Sequence, residues 1–99
     1  MAAYVIVQVE ITDEEKYERY KALTPDTIIR YDGKFIVRGG RCESLEGDWA
    51  VERLVILEFP TYDRAKEWYE SDEYRVARAV REGGANMIFT VVEGFDGAI

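Results

Sequence analysis

Between Ala3 and Ile11 the apolar residues alternate, with Val5, Val7 and Val9 on one side of an extended chain and Tyr4, Ile6 and Gln8 on the other. A period of two in β-branched residues predicts a first strand there. Thr12-Asp13-Glu14-Glu15 has the capping-box spacing, a hydroxyl followed three residues later by a carboxylate, and opens a helix. Tyr17, Tyr20, Thr24, Ile28 and Tyr31 then recur at helical spacing. Pro25 lacks a backbone donor and is expected to kink this helix, or to restart it with Thr24 as a new cap. Asp32-Gly33 ends it. A second strand is expected over about residues 35–45, with Gly39-Gly40 as a bulge or a point of close ligand approach and Glu46-Gly47-Asp48 as a hairpin turn.

Residues 52–59 predict a third strand, and Pro60-Thr61 stops it and caps a helix carrying Ala65, Trp68 and Tyr69. Ser71 ends that helix and caps a second segment over 72–82, which Gly83-Gly84 terminates before a fourth strand at 87–93. The order β-α-β-β-α-β is that of the ferredoxin-like α+β fold, with one domain expected over residues 1–99.

These strands are apolar on both faces. Strand three offers Val55, Leu57 and Phe59 on one side and Leu54 and Ile56 on the other; strand four offers Ile88 and Val92 against Met87, Phe89 and Val91. An antiparallel sheet with one face in water shows polar residues there. Two connecting helices cover only one face, so a second copy of the same sheet is the expected cover for the other.

Composition narrows the chemistry. The net charge of −7 disfavours nucleic acid and anionic membrane surfaces, and no stretch approaches the roughly 20 apolar residues of a membrane span. No leader-like segment opens the chain, so a cytoplasmic location is expected. The β-α-β-β-α-β order is shared with RNA-recognition modules, but strand three is aliphatic where such a module stacks aromatics on bases. The single cysteine, Cys42, forms no internal disulfide and is expected to be a half-buried, inert thiol. There is no histidine, which removes imidazole bases, the usual zinc sites and proximal haem ligation. The acidic runs lack EF-hand spacing, so neither metal nor cofactor is expected.

Arg38 and Glu58 fall nearly opposite each other if the hairpin closes at Gly47-Asp48. Each sits among apolar neighbours, where a charge needs a partner. Either they form a structural cross-strand ion pair, or Glu58 is a desolvated base and Arg38 holds an anionic group in a cleft between sheet and helices. Trp68, Tyr69 and Tyr74, facing Tyr17 and Tyr20, form an aromatic helical layer that is either core or a pocket for a flat ligand. Arg75 and Arg78 read as solvated, whereas Arg81 follows Tyr74 by seven residues and projects on the same side.

The spaced set Gly33-Lys34-Phe35, Arg38-Gly39-Gly40, Leu45-Glu46-Gly47-Asp48-Trp49, Glu58-Phe59-Pro60, Trp68-Tyr69-Glu70-Ser71 and Tyr74, with Ala3-Tyr4-Val5-Ile6-Val7, Tyr17 and Tyr20, resembles the family numbered 1330 among the domains of unknown function. The resemblance runs from about Ala3 to Gly94 and implies a ferredoxin-like subunit that pairs into a dimeric α/β barrel, with an arginine at the position of Arg81. It implies no activity. The wider barrel superfamily contains cofactor-independent monooxygenases, isomerases and dehydratases that hold substrate between sheet and helices, though several use a histidine that this chain lacks. The expectation is a small soluble homodimer, paired through its sheet faces, that binds a small aromatic or hydrophobic metabolite near Arg38, Glu58, Trp68, Tyr74 and Arg81. The alternative is a cofactor-independent enzyme with Glu58 as its base.

Overall fold

A computed structural model describes residues 1–95; the last four residues of the domain expected over 1–99 lie outside it. The elements run β1 (Ala3–Ile11), α1 (Glu14–Arg30), β2 (Lys34–Arg38), β3 (Arg53–Phe59), α2 (Tyr62–Glu70), α3 (Asp72–Val80) and β4 (Ala85–Glu93). The four strands form one antiparallel sheet in the order β2-β3-β1-β4. This is the ferredoxin-like α+β arrangement, with Ala3, Val5, Val7 and Val9 of β1 and Val55, Leu57 and Phe59 of β3 buried on the helix side. Val5, Val7, Val9, Val55, Leu57 and Phe59 meet Tyr17, Tyr20, Ile28, Ala65, Trp68 and Tyr74 there, all with less than a tenth of their surface exposed.

The caps fall close to the places the sequence marks. Asp13, one residue later than the expected Thr12, caps α1, its carboxylate accepting from Lys16 N at 3.2 Å. Thr12 instead donates its hydroxyl to the Gly83 carbonyl. Thr61 and Ser71 cap α2 and α3 as expected, accepting from Arg64 N and Tyr74 N.

Pro25 neither stops α1 nor restarts it. The helix runs 17 residues through it. A proline leaves the carbonyl four residues earlier without its N–H donor, and that carbonyl is Lys21 O. Thr24 Oγ1 donates to it at 3.3 Å and Arg38 Nη2 at 3.4 Å, so two side chains replace the missing backbone bond.

The second strand is shorter than expected, five residues ending at Arg38, and residues 39–52 pass without strand pairing. Ser44 closes the turn at Glu46-Gly47 by donating to both carbonyls. The bulge of β2 lies between Phe35 and Val37 rather than at Gly39-Gly40: Phe35 pairs with Leu57, Val37 with Ile56 and Arg38 with Val55. One extra residue on one strand reverses which side the following residues face. Phe35 and Arg38 therefore both face the helices, whereas Lys34 and Val37 pair with residues of the opposite face.

On that opposite face lie Tyr4, Ile6, Leu54, Ile56 and Glu58, together with Ile36, Ile88 and Val92, of which the last three are 46%, 60% and 44% exposed. Trp49 reaches this face from the long connection and donates its indole N–H to Gln8 Oε1 at 3.2 Å. Among the described residues no helix is long and apolar enough to cross a membrane.

Candidate functional site

The helix face of the sheet carries a cleft between α1 and the strands that opens at the edge strand β2. Its cavity volume is about 30 Å³, so it is narrow as it stands. Val7, Val55, Leu57 and Trp68 form the floor, Tyr17, Tyr20 and Ile28 the α1 wall, and Phe35, Arg38, Lys21 and Arg53 the mouth.

The floor and back are rigid. Trp68 is 1% exposed and donates its indole N–H to Thr27 Oγ1 at 3.0 Å, while Thr27 donates to the Thr24 carbonyl at 2.8 Å. Its ring lies 4.3 Å from that of Tyr74 and 5.4 Å from that of Phe59, centre to centre. Such tilted aromatic contacts add about 0.5–1.5 kcal/mol per pair beyond area burial. Tyr74, with no exposed surface, shares a hydrogen bond of 2.7 Å with the hydroxyl of Tyr20. Burial raises the pKa of both phenols, that of Tyr20 strongly, so both are neutral across the physiological range. Arg81 closes this layer from behind, its guanidinium 5.4 Å from the ring centres of Tyr20 and Phe89, and its Nε is buried with no hydrogen-bond partner among the described residues.

The mouth is cationic. Arg38 lies over the Phe35 ring at 4.2 Å besides donating to Lys21 O. Arg53 donates its Nε–H to the Tyr17 hydroxyl at 3.0 Å, and its guanidinium rests on Gly39, where a Cβ would fall 2.2 Å from Nη1. Gly39 has φ +74°, a conformation that glycine adopts freely and other residues rarely. No Asp or Glu lines the cleft among the described residues.

Of the expected site residues, Arg38 and Trp68 line this cleft, while Tyr74 and Arg81 stand behind it and hold Tyr20 and Phe89. Glu58 does not join them. It sits on the opposite face of the sheet, pairing with Lys34 at 3.3 Å, because the hairpin register places it across from Lys34 rather than Arg38. The expected Arg38–Glu58 pair is thus corrected, and with it the placement of Glu58 in the cleft. Cys42 is exposed rather than half-buried. The aromatic layer is both core and cleft lining: Tyr74 is core, Trp68 is core that also forms the floor.

Arg53 was not among the expected site residues, although a signal for it existed. It shares the parity of Val55, Leu57 and Phe59, and a charge on the buried side of a strand needs a partner or a site.

The profile of the domain of unknown function DUF1330 matches residues 2–95. The chain belongs to this family. No curated protein matches it. Among solved structures, RPA0582 of Rhodopseudomonas palustris, a protein of unknown function, superposes with a TM-score of 0.75 at 19% identity, covering 97% of this chain and 84% of that one. SnoaB, a cofactor-independent oxygenase from Streptomyces nogalater, gives 0.64 at 8% identity, with coverage of 97% and 95%. A hypothetical protein of Arabidopsis thaliana gives 0.67 at 9% identity, with coverage of 98% and 91%. At these identities the likeness of this DUF1330 chain to the three is one of fold.

Proposed function

We propose that this DUF1330 chain acts as a homodimer paired through its open sheet faces, each subunit binding a small aromatic or hydrophobic metabolite in the cleft between sheet and helices. The observation that carries the binding reading is the cleft itself, an apolar, aromatic floor under a ring of hydrogen-bond donors. That is the usual makeup of a small-molecule site. Entry of a ring requires the cleft to widen, since the space present takes only a few waters.

The dimer reading rests on the uncovered face. Ile36, Ile88 and Val92 stand 46%, 60% and 44% exposed beside Ile6, Leu54 and Ile56, an apolar surface of the kind that marks association. Sedimentation at micromolar concentration is expected to give twice the 11.5 kDa chain mass, and Ile88→Lys to halve it. A wild-type monomer would refute this half of the proposal. For the cleft, a panel of one-ring and two-ring aromatics is expected to raise the melting temperature and perturb Trp68 fluorescence; no response across the panel would refute the other half.

The second reading is a cofactor-independent enzyme, favoured by the fold shared with SnoaB and by the buried Tyr20–Tyr74 phenol pair beside Arg81. With Glu58 outside the cleft no carboxylate lines it among the described residues, and the neutral Tyr20 phenol serves there as a hydrogen-bonding group to a reacting oxygen rather than as a base. Turnover of a bound ligand under air, lost in Tyr20→Phe with binding retained, would favour the enzyme over the binding module.

A further inference from the structure

We infer that the cleft selects an anion, an aromatic carboxylate, and that Arg53 is the residue that holds its charge; this rests on the cleft-binding reading above. In a chain with 20 acidic and 13 basic residues, Arg19, Arg30, Arg64 and Arg75 each reach a carboxylate. Among the described residues no carboxylate lies within 4.0 Å of Arg53 or Arg38, which face the cleft together. Lack of a carboxylate is not by itself a site, since Arg78 lies over Tyr69 in the same condition. What sets Arg53 apart is that it is built into place. Its Nε is tied to the Tyr17 hydroxyl, the Tyr17 ring lies 5.6 Å from its Cζ, and the backbone of Gly39 leaves room for the guanidinium.

The donors of Arg53, Tyr17 and Arg38 line one cleft, and among the described residues no carboxylate there receives them. The Nε bond leaves the terminal nitrogens of Arg53 for a ligand, in the planar fork that matches a carboxylate. Tyr17 accepts from Arg53, so its own proton is available to donate. Arg38 uses one nitrogen on Lys21 O and keeps the others. A carboxylate accepts only, with two oxygens, which suits a cleft lined by donors. The remaining wall is apolar and aromatic, which suits a ring as the rest of the ligand. Pro25 contributes as well: the carbonyl it frees on Lys21 is the one that seats Arg38 at the mouth.

The test compares benzoate with benzamide, which share ring and shape and differ in charge. Both are titrated into the full-length protein at low salt, with the Arg53 Nε–H and the Trp68 indole N–H followed by NMR. Benzoate is expected to shift both signals and to bind at least about tenfold more tightly than benzamide, the scale set by one charge-assisted hydrogen bond. Arg53→Gln is expected to abolish that preference and Arg53→Lys to keep part of it, with folding of both checked by melting; Arg38→Gln is expected to weaken it. If benzamide binds as well as benzoate with the same shifts, the cleft reading stands and the inference falls. If neither ligand moves the Trp68 signal, the cleft reading falls and takes the inference with it. Benzoate shifts confined to residues outside the cleft would overturn the inference too.

Discussion

Replacing Tyr74 by phenylalanine removes one oxygen from a buried polar contact. The two hydroxyls lie 2.7 Å apart, with Tyr74 0% and Tyr20 6% exposed, so the partner left behind has no water to turn to. Stranding a buried polar group costs about 1–3 kcal/mol, and Tyr20→Phe is expected to cost a similar amount by stranding Tyr74. Removing both oxygens keeps the rings and leaves no unsatisfied group. The double variant is therefore expected to lose about as much as one single variant or less, which gives a coupling energy of about 1–3 kcal/mol. The pH dependence provides a second reading. Burial raises both folded-state pKa values above the ordinary tyrosine value, so the two neutral phenols contribute stability that is fully present below pH of about 10. That stability is lost as pH rises through the folded-state values, at up to about 1.4 kcal/mol per pH unit for each phenol. Tyr31, whose hydroxyl donates to Glu73 and whose pKa that bond raises, leaves a residual slope in every variant. Guanidinium denaturation at pH 7 and in steps from pH 9 to 11, at fixed protein concentration, measures both effects. Additive single losses, or an alkaline slope unchanged in the double variant, would refute the reasoning.

Gly39→Ala and Gly47→Ala are each expected to cost about 1–2 kcal/mol, because both positions hold left-handed backbone, at φ +74° and +85°. Only Gly39→Ala is expected to weaken benzoate binding, since a Cβ there meets the Arg53 guanidinium while Gly47 has nothing within 4 Å; wild-type binding in Gly39→Ala would count against the cradle. Glu58→Gln is expected to leave ligand binding unchanged, and loss of its partly exposed pair with Lys34 to cost under about 1 kcal/mol in chemical denaturation. Loss of binding in that variant would return Glu58 to the site.

Much of this protein follows from local sequence alone. The alternation of Val5, Val7 and Val9 fixed the first strand to the residue, and Thr61 and Ser71 marked two helix starts, because strand period and capping are settled within a few residues of backbone. The apolar character of both sheet faces was equally plain in the strand compositions. Tertiary structure alone decided which residues share the cleft. The bulge between Phe35 and Val37 has no sequence mark as clear as the Gly39-Gly40 pair, yet it turns Arg38 toward the helices, while the hairpin register leaves Glu58 opposite Lys34. A single-residue step in register moves every later side chain to the other face of a sheet. Whether that step occurs depends on how β2 meets β3 and how Arg38 reaches the Lys21 carbonyl freed by Pro25, 17 positions earlier in the chain, and those contacts exist only once the chain has folded.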